Sequence, residues 1–316
     1  MKLLKSATSL TTLVVWLFFE VYMNAATAQT AKEWTNLGLY GGHVYDIAVD
    51  PSQPNKMFAG TYMGDGLFMT EDGGLTWTVV EMENFFEGED TFKDHAVYAV
   101  KIAHTDSKIV WASHNYWVAK SIDGGLTWSH IQNRDMQRDC AGCGGNGDNF
   151  RLCRALAIDP TDGNVVYVGA GGPWGNYPDG AVYKTVDGGQ TWRKMNQGDN
   201  LDHSVVDLAV DPENPNVVWA VTSSFGAGGV WAGTLYRSAD GGETWTDILT
   251  LDSGFEAVAV KPDDTDTVFT GGGYGIIRHY FDGSTWQYQW PVVSDECRLA
   301  ADIVFAPLNP QVVYAV

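Results

Sequence analysis

Eight aromatic residues of this chain stand in glycine-rich or irregular stretches: Tyr62, Tyr116, Trp117, Trp174, Tyr177, Phe225, Trp231 and Tyr274. Flat rings beside Asn and Asp suit one chemistry in particular, the holding of a sugar, whose apolar face stacks on the ring while polar neighbours take its hydroxyls. Trp117 and Trp174 are the foremost candidates for ligand contact, and packing of one loop on another is the competing use of the same rings. A second group is basic. His95, Arg151, His203 and Arg298, with Gly42 and Ser253, each stand just before a short alternating apolar segment. Two Arg and two His gathered in an acidic protein could bind a carboxylate or another anion. Pairing with neighbouring acids such as Asp94, Asp148 or Asp202 is the alternative.

The four cysteines are Cys140, Cys143, Cys153 and Cys297. Cys140-x2-Cys143 invites zinc, but a structural zinc site needs a second close pair of ligands, and Cys153 and Cys297 are not spaced as one. No metal and no cofactor is expected. Two disulfides are, one inside the 140–153 stretch and one reaching Cys297, with three connectivities open in principle.

The elements that must position these groups come from a repeat. Thr70-Glu71-Asp72-Gly73-Gly74-Leu75-Thr76-Trp77 returns at Ser121 to Trp128, Thr185 to Trp192 and Ser238 to Trp245, as Ser/Thr-x-Asp-Gly-Gly-x-Thr-Trp. A shortened copy runs from Phe281 through Asp282-Gly283 to Trp286. Asp followed by Gly-Gly is turn chemistry: the carboxylate is expected to bond backbone amides two residues on, and glycine supplies positive φ. The Trp is large enough to fill the space between two sheets. Asp72, Asp123, Asp187 and Asp240 are therefore read as structural. Each copy follows an alternating strand, a turn such as Asp50-Pro51-Ser52-Gln53-Pro54, a second strand, a glycine-rich loop and a third strand. Proline has no amide to give a sheet and ends the first strand cleanly. Four strands per unit of about 40–55 residues predict the blades of an all-β propeller.

This octapeptide resembles the Asp-box of the bacterial neuraminidase repeat, found in sialidase-type, sortilin-type and xyloglucanase-type propellers. The resemblance covers nearly everything after residue 33 and implies an Asp-box β-propeller of six or more four-stranded blades. It implies fold more firmly than activity, since enzymes and non-enzymes share the box. A sialidase is disfavoured: only eight Arg are present, and the nearest match to that family's Phe-Arg-Ile-Pro segment, Phe150-Arg151-Leu152-Cys153, lies three blades in. Where the xyloglucanase family carries Arg-Thr-Asp-x-Gly-Gly, this chain has Gly60-Thr61-Tyr62-Met63-Gly64-Asp65-Gly66. Asp65, three positions displaced, is the weak catalytic candidate that the resemblance implies.

Residues 1–28 read as a secretory signal, with Lys2 and Lys5, an apolar run from Leu10 to Phe19, and Ala26-Thr27-Ala28 before Gln29. The apolar run is shorter than the ~20 residues a spanning helix needs, so no membrane insertion of the mature chain is expected. The propeller is assigned to 29–316. Val312 to Val316 would be only the second strand of a sixth unit, so the ring is expected to be incomplete at its C-terminus. A net charge of −20 repels phosphate backbones and excludes nucleic acid as a partner. The reading is an extracytoplasmic binding or scaffold propeller, leaning non-catalytic, for a polysaccharide or an extracellular protein or peptide. A glycoside hydrolase of xyloglucanase type is the alternative.

Overall fold

The structure is a computed structural model that describes residues 43–62, 66–81, 96–114, 117–131, 152–171, 180–196, 201, 203–225, 231–290, 300–306 and 309–315. Its regular structure is all strand. The first antiparallel sheet is β1 (His43–Val49), β2 (Met57–Tyr62), β3 (Leu67–Thr70) and β4 (Thr78–Val79). The second is β5 (Val97–Ile102), β6 (Val110–His114), β7 (Trp117–Ser121) and β8 (Ser129–Ile131). The third is β9 (Leu152–Asp159), β10 (Asp162–Gly171), β11 (Ala181–Thr185) and β12 (Arg193–Lys194). The fourth is β13 (Ser204–Val210), β14 (Val218–Phe225), β15 (Trp231–Ser238) and β16 (Thr246–Leu251). The fifth is β17 (Phe255–Val260), β18 (Thr267–Gly272), β19 (Gly275–Phe281) and β20 (Trp286–Gln289), and β21 (Ile303–Ala306) pairs with β22 (Asn309–Ala315). Within each sheet the strands follow in chain order, and the first strands β1, β5, β9, β13, β17 and β21 pack successively on one another. Up-and-down sheets arranged about their first strands are the blades of a β-propeller.

The core lies between blades. Phe58, Leu67, Val97, Val100 and Trp128 join the first to the second; Trp111, Val168, Tyr183 and Trp192 the second to the third. Tyr167, Val205, Tyr236 and Trp245 join the third to the fourth, and Trp219, Leu235, Phe255 and Val268 the fourth to the fifth. The Trp of the octapeptide packs on the large ring of the preceding blade's second strand: Trp128 meets Phe58 edge-on at 6.1 Å, Trp192 meets Trp111 at 6.3 Å, and the shortened copy's Trp286 meets Trp219 at 4.8 Å. Each buried ring contributes about 2–3 kcal/mol. A cation on the third strand lies over the second-strand ring in three blades, Arg237 being 5.7 Å from Trp219. Lys120 lies 4.7 Å from the Trp111 ring and donates to the Gly188 carbonyl; Lys184 lies 4.8 Å from Tyr167 and donates to the Gly241 carbonyl.

The turn chemistry differs in one detail from that expected. In the first copy the Asp72 carboxylate accepts from the amide (2.9 Å) and hydroxyl (2.6 Å) of Thr76, four residues on, and the Thr70 hydroxyl donates to it at 2.8 Å. Thr70 also accepts from the Gly74 amide at 3.0 Å. Asp123, Asp187 and Asp240 repeat the pattern with Thr127, Thr191 and Thr244. The reach lengthens from two residues to four because two successive left-handed glycines, Gly73 (φ 75) and Gly74 (φ 91), carry the chain around the carboxylate before it returns. At the second copy the space is as specific as the torsion: a Cβ on Gly125 (φ +90) would stand 2.4 Å from Phe58 Cζ.

Candidate functional site

The first strand of a blade runs toward the octapeptide face and the second runs back, so the β2–β3 type of loop and the start of each first strand share the opposite face. On that face the structure places several of the residues singled out by type. Tyr62 ends β2 and is 37% exposed. Trp117 opens β7, half-buried, with its ring 6.2 Å from His130. Trp231 opens β15, and His203 immediately precedes β13. Asp65, Tyr116, Trp174, Tyr177, His95, Arg151, Arg298, Cys140, Cys143 and Cys297 lie outside the described residues; Cys153 is buried in β9.

Two aromatic groups on this face are exposed enough to meet a ligand. Tyr274, in the β18–β19 turn, and Trp290, just past β20, are 48% and 45% exposed and stand edge to face at 5.8 Å. The Tyr274 hydroxyl donates to Asp252, which fixes the ring. At the centre, Tyr45 (42% exposed) lies 5.5 Å from Tyr62 and 5.0 Å from Tyr98.

Tyr45 and Tyr98 belong to a set that strand alternation alone does not reveal. In β1 the pairing with β2 passes from Val44↔Thr61 to Asp46↔Gly60, leaving Tyr45 opposite no residue. The same extra residue is Tyr98 in β5, Arg154 in β9, Val206 in β13 and Glu256 in β17. A β-bulge re-aims one side chain and bends its strand. Repeated in five first strands at one register position, it presents a Tyr, a Tyr, an Arg, a Val and a Glu in turn; Val206 packs on the core between the fourth and fifth blades, and Tyr45 and Arg154 both lie against Tyr98. Arg154 sits with its guanidinium carbon 5.7 Å from the Tyr98 ring, and its buried Nε has no hydrogen-bond acceptor among the described residues. Burial raises the Glu256 carboxyl above the usual range, offset in part by Arg154. Burial, with Tyr98 next in weight, pushes Tyr45 up to about 12.

Deeper along the same strands is a second polar layer. The Lys101 ammonium of β5 is 2.8 Å from Asp46 of β1 and within electrostatic reach of Asp207 of β13 and Asp302, which precedes β21. Asp46 also accepts from the Val100 amide of the next blade at 2.9 Å, and Asp207 from the Val258 amide at 2.8 Å. These carboxylates tie one blade to the next. Burial pushes Asp207 up to about 7 against the pull of Lys101. Among the described residues no group of His, Cys, Asp and Glu could hold a metal ion.

Of the basic set, His203 alone lies among the described residues, one position before β13. A signal for the bulge residues was present: Tyr45, Tyr98, Arg154, Val206 and Glu256 occupy the second position of the same apolar segment in successive repeats. No rule of alternation marks them, because a bulge breaks the alternation.

No family model matches the chain. It is 24% identical over 258 residues to a probable oligoxyloglucan-reducing end-specific xyloglucanase of Neosartorya fischeri, covering 70% of this chain and 30% of that protein. It is 26% identical over 227 residues to xyloglucanase Xgh74A of Acetivibrio thermocellus, covering 64% of this chain and 25% of that one. The chain thus spans about a quarter to a third of the length of these relatives. Among solved structures, an ancestral GH74 enzyme superposes with a TM-score of 0.61 at 17% identity, over 89% of this chain and 35% of its own. Ycf48 from Cyanidioschyzon merolae does so with a TM-score of 0.58 at 18% identity, over 89% of this chain and 82% of its own. These structures share the propeller fold with this chain.

Proposed function

We propose that this chain is an exported propeller that binds a β-glucan of the xyloglucan type on the face opposite its Asp-boxes. The observation that carries the reading is the exposure of aromatic rings there, Tyr45 and Tyr62 at the centre and Tyr274 with Trp290 on the fifth blade. Rings held at fixed angles, with Asp252 beside one of them, are what a sugar chain needs for stacking and hydroxyl contacts. The similarity to two xyloglucanases supports the choice of polysaccharide. Trp117, Trp174, Tyr116, Tyr177 and Trp231 are proposed to contribute further stacking contacts, with His95, Arg151, His203 and Arg298 as polar partners. Removal of residues 1–28 would deliver the protein outside the cytoplasm, where its cysteines would be oxidised.

The same relatives favour a second reading, in which this propeller is part of a glycoside hydrolase and Asp65 is one of its two carboxylates. Titration with a xyloglucan heptasaccharide tests the first reading: tryptophan fluorescence should be quenched, and Trp290→Ala should weaken binding several-fold, as loss of one stacking contact of about 1 kcal/mol implies. Absence of binding to any β-glucan, with capture of a peptide ligand instead, would overturn it. Release of reducing ends from xyloglucan, abolished by Asp65→Asn, would favour the hydrolase.

A further inference from the structure

We infer that the channel mouth is a subsite for the terminal sugar residue of the glycan, stacked on Tyr45, with Arg154 donating to its hydroxyls and Glu256 accepting from them. The inference rests on the glycan-binding reading above and adds a place, a polarity and a residue set to it.

Three observations carry it. The bulges of β1, β5 and β9 bring Tyr45, Tyr98 and Arg154 together, the Tyr45 ring 5.0 Å from Tyr98 and the Arg154 guanidinium 5.7 Å from the same ring, and the bulge of β17 presents Glu256 at the same register position. Arg154 Nε is buried with no hydrogen-bond partner among the described residues, and the guanidinium acts on Glu256 through its charge. A guanidinium offers five donors and a carboxylate about four acceptor sites, and such capacity left unfilled in a half-buried site is costly. The surface between them is aromatic and accessible, since Tyr45 is 42% exposed.

The ligand class follows from needing both groups at once. An anion would satisfy Arg154 and be repelled by Glu256, and a cation would meet the reverse. A neutral polyol satisfies both, because each hydroxyl donates and accepts, and a pyranose adds an apolar face for the Tyr45 ring. The position within the chain follows from what lies below. The Lys101–Asp46 ion pair, with Asp207 and Asp302 in reach of the same ammonium, sets a charged layer among the first strands beneath the bulges. A glycan end can stop against such a layer, whereas an internal residue would have to bend in and out again.

Calorimetric titration of the full chain with xyloglucan heptasaccharide, and with xyloglucan polymer before and after limited endoglucanase digestion, tests this. Binding sites per gram of polymer should rise with the number of chain ends. Arg154→Gln and Glu256→Gln should each weaken heptasaccharide binding at least tenfold, and the double variant little more than either. Tyr45→Ala, at a position 42% exposed, should weaken it comparably and keeps the test open if a polar variant misfolds. Affinities within twofold of wild type in the folded variants, or sites proportional to polymer mass, would overturn the subsite while leaving glycan binding standing. Failure of the wild-type chain to bind any glycan would overturn both.

Discussion

The two faces of this propeller use the same blades to opposite ends. On one, four octapeptides repeat the same hydrogen bonds to within about a tenth of an ångström, from Thr76, Thr127, Thr191 and Thr244 to the four Asp. The exposed apolar side chains there are mostly aliphatic, Leu75, Ile122, Leu126 and Val186, beside Phe281 of the shortened copy. On the other, one bulge position recurs in five strands but is filled by Tyr45, Tyr98, Arg154, Val206 and Glu256, and the exposed apolar side chains are mostly aromatic, Tyr45, Tyr62, Tyr274 and Trp290, beside Val44. Identical residues at repeated positions solve a problem that every blade shares. Different residues at a repeated position solve a problem that belongs to the molecule as a whole, and that is where a binding site is to be sought.

The sharpest way to break this contrast is through the octapeptide Trp. Trp128→Ala removes a ring wedged against Phe58 in the first interblade core and should cost about 3–5 kcal/mol, read by denaturant titration, with heptasaccharide affinity unchanged in the folded fraction. A loss of affinity at unchanged stability would show that the faces are not separate in function.

The two faces should also respond to pH in opposite directions. Asp72 and Asp187 are held at about 2, below the usual 3.8, first by the hydroxyl bonds from Thr76 and Thr191. The folded boxes therefore bind fewer protons than the unfolded chain, and their stabilisation is present above about pH 4 and lost as pH falls toward 2. Burial instead raises Asp207 to about 7. The folded chain keeps that proton where the unfolded chain has released it, so its stabilisation is complete below about pH 4 and lost as pH rises through 7. Melting temperature should peak between these limbs. Asp207→Asn, which keeps an acceptor for the Val258 amide, should flatten the limb from pH 4 to 7 and leave the acid limb intact; an unchanged slope would contradict the placement of a buried carboxyl there.

The repeated face was legible in the sequence because each of its features is local. Asp-Gly-Gly dictates a turn, Thr-Trp dictates a strand with a ring to bury, and the proline turns mark where first strands end. Only the reach of the carboxylate, to Thr76 and not to the residue two on, needed coordinates, because it depends on two successive left-handed glycines. The channel face was legible in part. Tyr62 and Tyr274 announced themselves by type and by glycine-rich context, and both are exposed. Arg154 and Glu256 did not, since each lies inside an apolar segment where alternation assigns it no special direction. Their convergence depends on strand register and on contacts between blades 50 or more residues apart, neither of which is written in spacing.

The smallest effect sharpens the contrast. Asp123→Ala removes the acceptor for the Thr127 amide and hydroxyl at 2.9 and 2.5 Å and should cost about 1–2 kcal/mol, with no change in affinity for heptasaccharide.

The most direct test of the central claim is a crystal structure of the chain grown with xyloglucan heptasaccharide. The account predicts sugar density across Tyr274 and Trp290 with a terminal ring against Tyr45 between Arg154 and Glu256. Sugar seated instead on the octapeptide face, beside Leu75, Ile122 or Leu126, would contradict it.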